Sequence, residues 1–301
     1  MIASNLFSIE LSAPPRRRPW QALAARGLVL AAACLLTASA FAHSRWIEPS
    51  HTILSGDEAQ GVTFDLSVSN DIFHPDFPFG GPTMSRSPLS RAVPTVTRPD
   101  GSVDTSAVPE HFARKSVFDV DLAQDGTYTV EVASEPMLLT FWGRPGDQRG
   151  GRGFGSKEQV AEQIPDDAVD ITTRRIHTRI VTWVTRNAPT KPALSGQGLE
   201  LAGVHPNDLF AGESLRFRLL LDGQAAPAGT EIQLTRAGTR HRNDRNRVRA
   251  QTDAQGTFEV TLPEAGYYLL EAETETKGAG GTEGVDSETY SLFATLEVQP
   301  Q

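Results

Sequence analysis

Seven histidines, at positions 43, 51, 74, 111, 177, 205 and 241, are the supply of imidazole ligands in this chain. Its one cysteine, Cys34, lies in an apolar run near the amino terminus, followed by Leu35 and Leu36. A transition-metal site elsewhere must therefore use imidazole, carboxylate or a free amine. His43 has the most to offer. It follows Ala40-Phe41-Ala42, the small-residue pattern after which signal peptidase cuts. Cleavage after Ala42 makes His43 the first residue, and its α-amine and ring Nδ1 can then close a six-membered chelate. An α-amine titrates near pH ~7.7–8, so a metal can displace its proton close to neutrality. Such nitrogen-rich donors suit Ni(II) and Cu(II), with Cu(II) intrinsically tighter. Ala38-Ser39-Ala40 offers a second cleavage site, and a cut there would leave Phe41 first and remove the chelate.

Two further histidines are candidate ligands. His74 lies in "SNDIFHPDFPFG", where Pro75 stiffens the chain and Asp76 can orient the ring or ligate. The flanking Phe73, Phe77 and Phe79 suit a packed loop equally well. His177 lies in the β-branched run 171–184, sharing a face with Arg179, Val181 and Trp183, opposite Ile176, Ile180 and Val184. A strand is a rigid platform for a ligand, and it also holds ordinary half-exposed histidines. His51, His111, His205 and His241 read as surface or loop residues, and Glu48, before Pro49, as part of an extended arm.

No catalytic constellation emerges. Gly-x-Ser-x-Gly and His-Glu-x-x-His are both absent, and Asp166-Asp167 sits in a turn. The glycine-rich "DQRGGRGFGSKEQ" lacks the Gly-Lys-Ser/Thr of a phosphate loop and is expected to be a flexible surface loop. The sequence therefore indicates no enzyme.

The elements that must position these residues are strands. Residues 1–42 have the organisation of a signal peptide: Arg16, Arg17, Arg18 and Arg26, then the apolar run 28–36, then small residues up to Ala42. That run is shorter than the roughly 20 residues of a membrane helix. Cleavage leaves 259 of the 301 residues, with 24 basic and 36 acidic side chains, net −12. The acidic balance argues against nucleic acid as a partner. Without cysteine, an exported chain must be held by its core alone.

Helical periodicity is confined to 156–164. Elsewhere short alternating runs stand between Gly, Pro, Asp and Asn clusters. Strands are expected over 62–68, 116–122, 127–132, 138–142 and 171–184, with "AQDG" making a hairpin-type turn. Pro189 and Pro192 mark 187–196 as a linker. A second set follows over 199–202, 214–221, 231–235, 257–261, 267–274 and 290–298. The expected fold is all-β, with two β-sandwich domains of Ig-like or prealbumin-like type after a cleaved signal peptide. The divisions are 1–42, 43–186, the linker 187–196, and 197–301. Between the expected strands 231–235 and 257–261, "GTRHRNDRNRVRA" is a basic tip on an acidic protein, solvated or docking an acidic partner.

Three strings carry a resemblance. "AHSRWIEPS" is similar to the Ala-His-x-x-Trp-Leu-x-Pro opening of NikM-like proteins, associated with periplasmic nickel uptake. "GLELAGVHPNDLFAGESLRFRLLLDGQAAPAGTEIQL" and "TDAQGTFEVTLPEAGYYLLEAE" resemble the carboxy-terminal part of that family. The second half also looks like the prealbumin-like module found beside carboxypeptidases, a scaffold whose turn residues carry no chemistry. The resemblance implies a periplasmic accessory protein that binds Ni(II), with Cu(II) or Co(II) as alternatives. It would serve a separate membrane permease or outer-membrane receptor, since no membrane span follows residue 42. The residues themselves also allow an exported adhesion or structural module, binding protein or glycan through sandwich loops. A copper oxidase acting on polysaccharide would likewise begin with a chelating histidine, but no aromatic substrate platform is evident in this sequence.

Overall fold

The computed structural model describes residues 43–81, 93–277 and 284–301. The expected signal peptide therefore lies outside the described residues. In chain order the first half forms β1 (Ser44–Pro49), β2 (Ile53–Leu54), β3 (Gln60–Ser69), β4 (Phe77–Pro78), β5 (Thr95–Thr97), β6 (Val103–Asp104), β7 (Glu110–His111), β8 (Ser116–Leu122), β9 (Gly126–Ala133), β10 (Met137–Arg144), β11 (Asp147–Phe154) and β12 (Val169–Arg186). The second forms β13 (Leu199–Ala202), β14 (Ser214–Leu221), β15 (Gln224–Ala225), β16 (Glu231–Arg236), β17 (Val248–Gln251), β18 (Thr257–Thr261), β19 (Gly266–Lys277) and β20 (Ser287–Val298). The all-β expectation holds. Alternating apolar residues place the strands, and the structure extends several of them by a few residues.

The strands build three layers. A long central sheet runs β17-β16-β19-β20-β12-β9-β5-β6. One small sheet, β1-β3-β8-β7, covers one of its faces, and another, containing β13, β14, β15 and β18, covers the other. The period-two alternation of β12 shows why both faces must be covered. Its Ile180 and Val184 enter the core with Trp46, Phe64 and Phe118, whereas Val181 and Trp183 enter the core with Leu201, Phe217 and Phe258.

The two halves share one topology, which the sequence does not display as a repeat. In the first, β1 pairs β3, which pairs β8, while β6 pairs β5, β5 pairs β9 and β9 pairs β12. In the second, β13 pairs β14, which pairs β18, while β17 pairs β16, β16 pairs β19 and β19 pairs β20. The equivalent strands β12 and β20 lie side by side in parallel, from Arg174 opposite Ser287 to Thr182 opposite Thr295. Strand order is thus mirrored about this seam, with the two small sheets on opposite faces.

Each half turns the same corner with a tyrosine. Tyr128 donates its hydroxyl to the Gln124 carbonyl at 2.9 Å, and Tyr268 donates to the Glu264 carbonyl at 2.9 Å, both four residues upstream. The preceding Gly126 and Gly266 have φ of 134° and 123°, where a side chain would be strained. This corrects the reading of "AQDG": it carries the chain from one sheet to another, because β8 and β9 do not pair.

Three further expectations change. Residues 187–196 do not separate two sheets, since β12 before them and β20 after them are neighbours. The segment is clamped at both ends: the Thr190 amide donates to Thr127 Oγ1 (3.1 Å), and the Ser195 and Gly196 amides donate to the Glu200 carboxylate (2.7 and 2.8 Å). The glycine-rich 147–154 is strand β11, paired with β10. Glycine is required there because a Cβ at Gly151 would stand 2.3 Å from the Trp142 indole nitrogen. The expected helix 156–164 shortens to a single 3-10 turn, Ala161–Gln163.

Candidate functional site

The structure sorts the three candidate histidines onto two faces. His43 is exposed and immediately precedes β1. Ser44 pairs with Ser69, the last residue of β3, so His43 stands at the end of the ladder from which the turn bearing His74 departs. His177 lies on the other face of the central sheet, sharing its side of β12 with Val181 and Trp183. Its ring stacks on Tyr290 (centroids 4.3 Å apart, 11° between planes), and its Nε2 lies 3.1 Å from Glu288 Oε2. Tyr290 donates to the same carboxylate oxygen at 2.7 Å, and Arg175 meets its other oxygen at 3.1 Å. Burial would raise the Glu288 carboxyl, but the bonds from Tyr290 and His177 outweigh it and hold the carboxyl below its usual range. His177 is thus engaged in a self-contained network, apart from the other two.

The root of His43 is rigid. Ser44 is buried and donates its hydroxyl to Glu271 Oε1 at 2.7 Å, and Gln233 donates to the other oxygen at 3.1 Å. Glu271 is 2% exposed, and burial pushes its carboxyl above the ordinary range. Arg45 lies with its guanidinium 5.3 Å from the Phe293 ring centroid, within the field of Glu271 and Glu273. These contacts tie β1 to β19 and β20 of the other half. Thr52 hydrogen-bonds Glu297, and the Tyr267 hydroxyl donates to the Pro49 carbonyl at 2.7 Å, continuing the same seam.

Beside this root is an open cavity of about 830 Å³, lined by Glu48, Asp65, His74, Phe112, Arg114 and Arg240 among others. Glu48 is not on an extended arm; it lies within β1, directly across the ladder from Asp65. Asp65 is held by Lys115 at 2.6 Å, whereas Glu48 has no hydrogen bond or ion pair among the described residues. Burial and the neighbouring Asp65 push the Glu48 carboxyl up to about 7, against the lowering pull of Lys115. Asp76 does not orient His74: it accepts from Ser69 Oγ at 2.6 Å and faces Arg114 at 3.8 Å. Sequence reasoning missed Glu48, because it lies on the face of β1 opposite the core-facing Ile47, where only the pairing with Asp65 and the neighbouring loops half-bury it.

The remaining histidines are peripheral. His51 and His241 are exposed, His111 Nδ1 lies 2.8 Å from Ser116 Oγ, and His205 precedes a 3-10 turn. The basic tip between β16 and β17 finds its acidic partner within the chain: Arg240 and Arg245 reach Asp71 at 3.3 and 3.2 Å. Among the described residues, no three His, Cys, Asp or Glu side chains converge on a common point.

Residues 40–276 match the family described as "Domain of unknown function (DUF4198)". The chain belongs to the DUF4198 family. The match runs from the segment before His43 to the end of β19. No curated protein matches this DUF4198 chain. Among solved structures, the I-band fragment I67–I69 of titin is 10% identical over 86% of this chain and 66% of its own, with TM-score 0.20. Escherichia coli alpha-2-macroglobulin activated by porcine elastase is 10% identical over 84% and 30%, with TM-score 0.20. The Bacillus anthracis TIE protein is 12% identical over 94% and 61%, with TM-score 0.19. The chain spans less than two thirds of the length of each, and the likenesses are too slight to carry an argument.

Proposed function

We propose that this DUF4198 protein is an exported, periplasmic metal-binding accessory protein. It takes Ni(II), or Cu(II) or Co(II), through the α-amine and imidazole of His43 and passes it to a separate membrane permease or outer-membrane receptor. The observation that carries the reading is the contrast at the head of β1: an exposed His43 followed by a Ser44 locked to the buried Glu271. A rigid root holds the chelating residue out to solvent, and an open site both loads and releases a cargo metal. His74 leaves the same end of the ladder and is the candidate for a third nitrogen. The opening "AHSRWIEPS", similar to that of NikM-like proteins, favours nickel within this donor class. The role is one of binding and transfer, without a catalytic step.

The test is positional. Residues 43–301 are prepared with His43 as the free terminus, and again with one Gly before it, which turns the His43 amine into a non-basic peptide nitrogen. Titration calorimetry with NiCl₂ should show that Gly addition and His43→Ala weaken binding alike. Loss of a direct ligand should exceed the roughly 10–100-fold that altered outer-shell partners cost. His74→Ala should cost less, and His177→Ala nothing. If the Gly-extended protein binds as well as the unextended one, the terminal amine is not a ligand and the proposal fails.

A further inference from the structure

The cavity beside β1 has features that the metal reading does not use. Its volume, about 830 Å³, lies within the usual range for small-molecule sites. One flank carries Glu48 and Asp65, and Glu48 alone among the cavity's carboxylates has no ion-pair partner among the described residues. Lys115 lines the cavity beside Asp65, and toward the turn that bears Asp71 and Asp76 the cavity carries a second flank, Arg114, its side chain 70% exposed, and Arg240. Phe112, 54% exposed, offers an apolar surface on the same rim. Phe73 holds a left-handed backbone, φ 55°, with its ring 5.6 Å from Trp46 and 6.0 Å from Tyr267. Such strain in a non-glycine residue persists where surroundings over-determine it, and it concentrates at ligand sites.

The geometry points to a binding site for a small zwitterion of the apolar α-amino-acid class, with its ammonium against Glu48 and Asp65, its carboxylate against Arg114 and Arg240, and its side chain on Phe112. The charges decide the orientation. Lys115 is paired directly with Asp65 and only partly offsets Glu48, so an incoming ammonium supplies the direct partner that Glu48 lacks among the described residues. Arg240 shares its guanidinium with Asp71 only at 3.3 Å and half-exposed, and Arg114 stands 3.8 Å from Asp76, so both retain donors for a carboxylate. A simple cation would leave the guanidinium flank unused, and a simple anion would face Glu48. The burial of Glu48 raises the free energy of its ionised form, and a bound ammonium relieves that cost.

The proposal does not rest on the metal site, and its test is run in EDTA so that the two can fail separately. Residues 43–301 are titrated at pH 8 with L-phenylalanine, L-phenylalaninamide, which lacks the carboxylate, and N-acetyl-L-phenylalanine, which lacks the ammonium. The amino acid should bind with a Kd of about 1 mM or tighter. Each blocked analogue should bind at least about tenfold more weakly, the cost of a lost charge-assisted contact. Glu48→Gln should weaken L-phenylalanine and the amide alike. Arg114→Gln, at an exposed position where folding is not at stake, should weaken the amino acid and leave the amide unchanged. No binding of L-phenylalanine up to about 10 mM, or equal binding of the blocked analogues, or an unaltered affinity in Glu48→Gln, would each overturn it.

Discussion

Replacing Glu48 by Gln should change how stability depends on pH, and both sign and size follow from the β1–β3 ladder. The Glu48 carboxyl titrates near pH 4.5 when unfolded and about 7 when folded, because burial and Asp65 disfavour its charge. The folded state therefore holds this proton to higher pH than the unfolded state. Its contribution is fully present below the unfolded pKa and is lost as pH rises through about 7. A rise of about 2.5 units corresponds to a ceiling near 3.4 kcal/mol, at about 1.36 kcal/mol per unit. Glu48 is only half-buried at the edge of an open cavity, so solvent screening reduces this to about 1–2 kcal/mol. Gln keeps the shape of the neutral acid and carries no proton to lose. Urea unfolding of both proteins at pH 5 and pH 8 supplies the double difference, in which groups common to both cancel. The stability advantage of Glu48→Gln should grow by about 1–2 kcal/mol between the two pH values. An advantage that stays constant, or shrinks toward pH 8, would mean that the Glu48 carboxyl is solvated in the folded protein and would refute the reasoning.

Two other outcomes test the architecture. Arg179, 14% exposed, bridges Glu200 at 2.8 Å and Glu131 at 3.5 Å, so Arg179→Met removes the cation from a buried and a half-buried carboxylate and, with the Ser195 and Gly196 amides still on Glu200, should cost about 3 kcal/mol in urea unfolding. A fragment of residues 197–301 should lack a cooperative thermal transition, because it loses β12 beside β20 and removes Val181 and Trp183 from its core; a sharp transition would show that the seam is dispensable.

Much of the fold was legible locally. The boundaries of β13, β14 and β18 coincide with alternating runs at 199–202, 214–221 and 257–261, because a half-buried strand writes its two faces directly into the sequence. Strand 147–154 was illegible for the opposite reason. Its glycines look like a loop, and only the close approach of the Trp142 carbonyl to Gly150, the Trp142 indole to Gly151 and Val160 to Gly153 explains them. The tyrosine corners were present in "DGTY" and "AGYY", yet nothing in single residues tells a turn within a sheet from one between sheets.

The candidate site divides the same way. Residue type and position made His43 a candidate, since a histidine directly after a small-residue cleavage pattern is expected to become terminal and to bring its amine as a ligand. Sequence determined the all-β character, the positions of the longer alternating strands and the chemical repertoire of nitrogen and carboxylate ligands. Tertiary structure alone decided which of these meet. It set His43 and His74 at one end, sent His177 to the opposite face through the parity of β12, and placed Glu48 across from Asp65, where it has no ion-pair partner among the described residues. It also fused two sandwiches into three layers, with β12 and β20 side by side although more than a hundred residues separate them. Alternation along a strand reports only that a face is buried. Which partner buries it depends on long-range pairing, and that information resides in the whole chain rather than in any segment of it.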